Sequence, residues 1–286
     1  MAWAPWTRWR LAWRGCWPVI ELKSPSERDG LIEAGRIVAE VLALLREAVR
    51  PGLATRELDR LAEAEIRRRG AEPVFKGYQA HPSQPAYPAS VCVSVNDEVV
   101  HGIPGSRRLN PGDLVSLDLG ARIQGMVGDA ALSVFCEAPP SETAARLLEV
   151  TARSLAAGIA AAVAGAHIGD IGAAVSGVVE PAGFSVVRDF VGHGVGRAMH
   201  EDPQVPNYGV PGRGPLIKPG MALAIEPMVN VGDWHVAVRD DGWTVVTVDR
   251  SLSCHFEHSV FIDAEETRVL TRLAESGSNA VQSANG

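Results

Sequence analysis

The strongest constraint on the fold is a repeat of two helical units with the same internal spacing. The first unit begins near Ser26 and restarts at Thr55, and the second begins at Ser141 and restarts at Asp170, 29 residues apart in each unit. Apolar residues recur at helical spacing after each start, where a polar residue can cap the helix. Coincidence between two ordinary helical hairpins is the alternative. The repeat predicts two similar halves, each opening with a pair of helices.

Strand-like segments follow each predicted helix pair. They cover residues 90–100 and 113–135 in the first half and 185–191 and 221–231 in the second. Short apolar runs bounded by turn residues are typical of strands. The pattern of two helices followed by β-hairpins occurs twice in the chain. This repeat predicts an α+β protein with pseudo-twofold symmetry. Because binding sites often lie where two halves meet, we look for chemistry at this seam.

The two ends of the chain differ from this body. Residues 1–18 hold five of the seven tryptophans and three arginines, and no acid precedes Glu21. We interpret residues 1–25 as an N-terminal extension, either a disordered tail or upstream sequence from a misassigned start. A helix lying at a membrane interface is the alternative. We expect residues 26–272 to form the folded domain and 273–286 a disordered C-terminal tail.

Charge and cysteine content limit the partners and the compartment. The net charge of −7 makes nucleic acid and anionic membranes unsuitable partners. No apolar run reaches the roughly 18 residues that a membrane span needs. The four cysteines form no Cys-x-x-Cys pair, which favours reduced thiols. We therefore expect a cytoplasmic protein that binds neither nucleic acid nor membrane.

Two aspartates occupy positions that a buried strand does not favour. Asp118 interrupts the apolar run 114–119, and Asp129 lies in a second strand-like segment eleven residues later. A turn near residues 123–125 would pair the two strands and bring the acids within about 4.5–8 Å. Two ionised carboxylates this close repel each other, so either one is protonated or a cation lies between them. Two solvent-facing aspartates on a hairpin are the ordinary alternative.

Candidate metal ligands also occur in three later segments: His193 in a glycine-rich run, Glu226 at the end of an apolar strand, and Glu257 in a strand of alternating residues. Four carboxylates and one imidazole suit two divalent ions of the Mn, Fe, Co or Zn kind. Two such ions about 3.5–4 Å apart can share a water, lower its pKa and polarise a carbonyl. Spacing alone does not choose among Glu257 and its neighbours His255 and His258, nor say which bond is cut.

In their order and residue identities, these motifs resemble those of the type I methionine aminopeptidases of the pita-bread metallopeptidase family. The likeness covers roughly residues 26–270. Its segments are SVNDEVVHGIP at 94–104, the pair Asp118 and Asp129, GHGVGRAMHE at 192–201, IEPMVN at 225–230, and DRSLS at 249–253 ahead of Glu257. The resemblance implies a pita-bread fold, in which duplicated halves of two helices plus antiparallel β-hairpins surround a central curved sheet.

The resemblance also implies a role for each motif residue. Five ligands would hold two divalent metal ions (Co, Mn, Fe or Zn): Asp118, Asp129, His193, Glu226 and Glu257. Asp129 and Glu257 would bridge the ions, and Glu226 would also handle the proton of the attacking water. His101 is similar to the family histidine that contacts the amino end or main chain of the substrate. His200 is similar to the one that stabilises the tetrahedral oxyanion.

The side-chain pocket is the least specific part of the resemblance. Tyr78, Cys92 and Trp243 would line it, since aromatic and sulfur groups pack well against methionine. Ordinary core packing is the alternative for these three residues. The segment 79–86 looks longer than in many relatives, and Val127 stands where the family commonly has histidine. The other histidines have an ordinary structural interpretation: His81, His167, His235, His255 and His258.

The function implied by the resemblance is removal of the initiator methionine from nascent polypeptides with a small second residue. A dimetal-bound water or hydroxide would attack the first peptide bond. The N-termini of nascent chains are then the partner, a transient ribosome contact is left open, and a monomer is expected. One alternative is a proline-directed aminopeptidase or dipeptidase, although those enzymes usually carry a substantial N-terminal domain. The other is a binding protein of the same fold that has lost catalysis.

Overall fold

The computed structural model describes residues 19–273, which include four α-helices in two consecutive pairs. The helices are α1 (Pro25–Ala48), α2 (Thr55–Arg68), α3 (Glu142–Ala161) and α4 (Ile168–Val179), with a short 3₁₀ turn at Glu180–Ala182. The predicted helix pairs are therefore present in both halves. The tryptophan-rich residues 1–18 and most of the predicted C-terminal tail lie outside the described residues.

Three of the four helices begin at other residues than the sequence predicted. Ser24 caps α1 by accepting from the Glu27 backbone, and the Glu27 side chain accepts from Ser24 in return, so Ser26 lies inside the helix. Thr55 is the first residue of α2 rather than its cap. The second restart lies at His167, whose backbone N–H donates to Asp170 at 2.7 Å, so Asp170 completes the cap as the third residue of α4. Ser141 caps α3 as predicted.

Fifteen short strands complete the described part of the chain. They are β1 (Glu72–Pro73), β2 (Cys92–Val95), β3 (Glu98–Val100), β4 (Leu114–Ile123), β5 (Met126–Phe135), β6 (Ser185–Val186), β7 (Gly192–Gly194), β8 (Glu201–Val205), β9 (Ala222–Ile225), β10 (Met228–Asn230), β11 (Val236–Val238), β12 (Val245–Thr247), β13 (Ser253–His255), β14 (Glu257–Ile262) and β15 (Thr267–Val269). The predicted turn joins β4 to β5 through Gln124 and Gly125, both at positive φ, as a tight hairpin turn requires.

The strands build a nine-stranded antiparallel sheet and two three-stranded sheets. The large sheet runs β1-β4-β5-β14-β9-β7-β8, with β2 beside β4 and β15 beside β14. To this sheet the first half contributes β1, β2, β4 and β5, and the second half contributes β7, β8, β9, β14 and β15. The halves therefore meet where β5 pairs with β14, at the register Glu257 opposite Ala131. This is the α+β pita-bread arrangement of a curved sheet and four helices.

The helices bury their apolar faces against the sheet and close the core. α1 lies on β4 and β5, while α3 and α4 pack on each other and on strands of the second half. Close approach of α1 requires glycine at 128, because a Cβ there would lie 2.7 Å from the Gly35 backbone nitrogen. None of the helices in residues 19–273 is long and apolar enough to cross a membrane.

The segment before α1 packs on the body, although we predicted it as part of the extension ending at residue 25. The Lys23 backbone N–H donates to the Gly220 carbonyl at 2.7 Å. Its side chain is 1% exposed and pairs with Glu201 at 2.5 Å. The folded body therefore includes residues 19–25. A buried ion pair between distant segments gives no periodic signal in the sequence.

Candidate metal centre and substrate cleft

The five predicted ligands lie on five neighbouring strands that span the seam. Asp118 is on β4, Asp129 on β5, Glu257 on β14, His193 on β7, and Glu226 directly follows β9. These are consecutive strands in the spatial order of the sheet. One side chain from each strand reaches a common place, although the residues are spread over 140 positions of the chain.

The strand register puts three of the carboxylates on one face of the sheet. Asp118 pairs with Ala131, and Ala131 pairs on its other side with Glu257, so these three form one row across the sheet. Asp129 lies two residues before Ala131, and residues two apart in a strand face the same way. Asp118 and Asp129 are therefore diagonal neighbours, within the range that the predicted hairpin allows.

The ring of His193 presents a lone pair to these carboxylates. Its Nδ1 donates to the Gly194 carbonyl at 2.9 Å, which leaves Nε2 unprotonated in the neutral ring. That Nε2 lies 3.6 Å from Oε1 of Glu226. Glycine at 194 serves the strand pairing, since a Cβ there would lie 2.3 Å from the Asp202 carbonyl oxygen. The close approach of backbone at this glycine is therefore to a neighbouring strand.

The centre concentrates negative charge that no basic side chain compensates. Within residues 19–273, no Lys or Arg pairs with any of the four carboxylates. Burial, followed by repulsion from the other carboxylates, raises the pKa of Asp118, Glu226 and Glu257 well above the usual range. Burial also raises the pKa of Asp129 to about 7 and lowers that of His193 to about 4. A cation at this place would lower the pKa of the carboxylates again and would keep the His193 ring neutral.

The donors fit a divalent metal ion. Ligand atoms of Asp129, His193 and Glu257 all lie within 4.8 Å of one another. One oxygen each of Asp118, Asp129 and Glu257 is buried without a hydrogen-bond partner. Buried polar atoms normally have a partner, so these atoms point to a missing positive group. Carboxylate oxygens with one imidazole nitrogen are ligands that divalent Mn, Fe, Co and Zn accept.

Two further predicted residues, His101 and His200, border the centre without joining the ligand cluster. The His200 ring lies 4.3 Å from that of His193, and its Nδ1 is 2.8 Å from the Tyr78 hydroxyl. His101 adopts φ of +60°, a strained conformation for a residue other than glycine, and such residues cluster at functional sites. Burial lowers the pKa of His101 to about 4, so its ring is neutral near pH 7.

The three predicted pocket residues lie together beside these histidines. The Trp243 ring is 6.4 Å from that of Tyr78 and 6.0 Å from that of His101. Trp243 Nε1 donates to the Pro85 carbonyl, so the unusual segment 79–86 holds the indole in place. Cys92 is buried and lies directly opposite Asp118 in the sheet. Aromatic and sulfur groups thus form a wall next to the metal centre.

Comparison with known proteins assigns this arrangement to a family. Residues 29–264 match the model of metallopeptidase family M24. The chain belongs to metallopeptidase family M24. Members of this family are metal-dependent hydrolases, in agreement with the buried ligand cluster.

Relatives within family M24 extend the likeness over most of the chain. A methionine aminopeptidase of Clostridium perfringens is 49% identical over 89% of this chain and 100% of its own length. The crystal structure of a methionine aminopeptidase from Thermotoga maritima is 43% identical with a TM-score of 0.85, covering 89% of this chain and 100% of that one. A prolidase from Pyrococcus furiosus shares the fold at 20% identity and a TM-score of 0.70, with 89% of this chain and 66% of the prolidase covered.

Sequence reasoning about this family M24 member missed two residues at the site. Tyr87 is buried edge-on against Trp243 at 5.1 Å and donates to the Gly102 carbonyl beside His101. Its position ahead of a strand gave no distinguishing signal. His255 was interpreted as structural, yet its Nε2 faces Glu226 at 3.6 Å. The available signal was its position two residues before Glu257, in a segment of alternating residues.

Proposed function

We propose that this M24 family member removes the N-terminal methionine from polypeptides. The observation that supports this proposal most is the 49% identity to a methionine aminopeptidase over that protein's full length. The site agrees with it, because a buried ligand cluster adjoins a wall of aromatic and sulfur groups. A thioether side chain packs favourably in such surroundings.

Two divalent ions, Co, Mn, Fe or Zn, are the cofactors that we propose. Asp118, Asp129, His193, Glu226 and Glu257 would hold them. When bound, such ions supply a hydroxide nucleophile at neutral pH and polarise the scissile carbonyl. We infer two ions rather than one from the donor set, because four carboxylates carry more negative charge than one divalent ion neutralises.

The protein's own residues then handle the protons and the substrate. Glu226, at the edge of the cluster, accepts the proton of the attacking water and passes it toward the departing amine. Tyr78 donates to Nδ1 of His200, which leaves the Nε2–H of His200 to stabilise the oxyanion. His101, neutral and held in a strained backbone conformation, contacts the substrate's amino end or main chain.

The methionine side chain would occupy the space lined by Tyr78, Cys92 and Trp243. The ring of His101 lies edge-on between Trp243 and Phe190, with centroids 6.0 and 5.7 Å away. Two aromatic side chains are thus packed against this histidine. Such crowding supports a preference for substrates with a small second residue. We further propose nascent chains as the substrates, with the cytoplasm as the place of action and the monomer as the working form.

Peptide cleavage by metal-stripped protein tests the proposed function. The protein is incubated with Met-Ala-Ser, Leu-Ala-Ser and Ala-Pro-Ala, with Mn²⁺ or Co²⁺ added in turn, and released amino acids are separated and quantified. We expect methionine to be released, only after metal addition, with little or no release from the other two peptides. Cleavage before proline would instead assign a proline-directed activity. No cleavage by protein with bound metal would favour a binding protein.

A further inference from the structure

The carboxylate of Glu226 lies between two imidazoles, of which only one belongs to the predicted ligand set. His193 Nε2 lies 3.6 Å from Oε1, and His255 Nε2 lies 3.6 Å from Oε2. The two rings therefore face different oxygens of the same carboxylate. His193 presents a lone pair to it, because its Nδ1 proton is engaged by the Gly194 carbonyl.

His255 has an unpartnered nitrogen at a place where burial makes that costly. Its side chain is 1% exposed, and Nε2 has no hydrogen-bond partner. A buried polar atom left without a partner costs free energy, so such atoms are rare in folded proteins. Glu226 is the carboxylate toward which this nitrogen points, and its side chain is largely buried as well.

The backbone fixes His255 in this position. Residue 255 pairs with Met228 across β13 and β10, two residues beyond Glu226. Its N–H donates to Ser133 Oγ at 3.1 Å, and Ser133 Oγ donates to its carbonyl at 2.7 Å. The ring is therefore carried on a strand that is anchored on both sides, so its direction toward Glu226 follows from the fold.

We propose that His255 is a positioning residue, which donates a hydrogen bond from Nε2 to Oε2 of Glu226. The bond directs Oε1, the oxygen nearer His193, toward the metal that these two residues would hold. Hydrogen bonds to ligating groups of this kind orient the ligand and typically change metal affinity about 10–100-fold when they are removed. The inference rests on the proposed function, because it concerns the same metal centre.

Four variants test the inference through metal binding rather than turnover. Gln at position 255 places an amide nitrogen near the position of Nε2, whereas Asn places it near Nδ1 and Leu offers none. Cys254→Ala is the control, because it removes buried volume from the same strand on the face turned away from the centre. Each metal-free protein is titrated with Mn²⁺ by calorimetry, and the visible absorption of its Co²⁺ form is recorded.

We expect His255→Leu and His255→Asn to weaken Mn²⁺ binding about 10–100-fold at the site that His193 and Glu226 would form and to change the Co²⁺ spectrum. His255→Gln and Cys254→Ala should keep the affinity and spectrum of the parent protein. If the Leu variant does not fold, the comparison between the Gln and Asn variants still tests the inference.

Equal affinity of the parent, Leu and Asn variants would overturn this inference and leave the proposed function intact. Binding by His255→Gln as weak as by His255→Leu would overturn the donor role. Failure of the parent protein itself to bind Mn²⁺ or Co²⁺ would overturn the proposed metal centre, and the inference with it.

Discussion

At the scale of single residues, the hydrogen bond between Tyr78 and His200 would determine which nitrogen of that imidazole carries the proton. The hydroxyl lies 2.8 Å from Nδ1, so a donating tyrosine fixes the proton on Nε2. The Tyr78 side chain thus combines two tasks, since its ring also lies 6.4 Å from that of Trp243 in the pocket wall. Tyr78 alone would therefore help to position both the side chain of the substrate and the oxyanion.

His200→Ala should lower kcat about 10²–10³-fold, because it removes the proposed oxyanion donor. Metal content, measured by mass spectrometry, should stay unchanged, since His200 lies outside the ligand cluster. Asp129→Asn is the contrasting variant, and it should lose metal and activity together. A metal-depleted His200→Ala protein would contradict the separation of roles between these two residues.

The sequence singles out the candidate ligands because their residue types are unusual at those positions. Asp118 and Asp129 interrupt apolar strands, and few structural reasons place a carboxylate there. His255 gave no such signal, because buried histidines on strands are common. Its significance depends on which residue lies beside it in the folded sheet. Its relation to Glu226 depends on the pairing of His255 with Met228, 27 residues away in the chain.

At the scale of elements, the segment before α1 is fastened to the loop that carries His200. Lys23 and Glu201 form an ion pair at 2.5 Å, with side chains 1% and 11% exposed. The Glu201 side chain also accepts from the Ala198 backbone N–H, and Lys23 Nζ donates to the Glu21 carbonyl. The pair is therefore part of a hydrogen-bond network that joins residues 21–23 to residues 198–201.

Lys23→Met should lower the free energy of unfolding by about 3–5 kcal/mol, because it leaves the Glu201 carboxylate buried without its partner. Arg36→Met is the matched control on α1, where the arginine is 51% exposed and pairs with Glu33 and Glu40. That exposed pair should contribute at most about 1 kcal/mol. Urea denaturation of both variants measures the difference. Similar losses in the two variants would contradict the importance of burial here.

Element boundaries were predictable where one capping residue was available and not where several competed. Ser141 stands alone ahead of α3 and caps it. Two serines, Ser24 and Ser26, stand near the start of α1, and Glu27 decides between them by closing a reciprocal cap with Ser24.

At the scale of the whole molecule, the candidate metal-binding cluster lies where the duplicated halves join. β5 from the first half pairs with β14 from the second, and ligands reach the centre from both sides of this pairing. Equal spacing of the helical units predicted the two halves and the importance of the seam. It could not predict the strand order, because pairings between halves depend on contacts more than 100 residues apart in the chain.

One measurement tests the central claim most directly: anomalous diffraction from crystals grown with Mn²⁺. We expect two anomalous peaks about 3.5–4 Å apart, surrounded by the side chains of Asp118, Asp129, His193, Glu226 and Glu257. Crystals of Asp129→Asn should lose one peak or both. Peaks confined to other places, or an empty seam in protein that still releases methionine, would contradict the account.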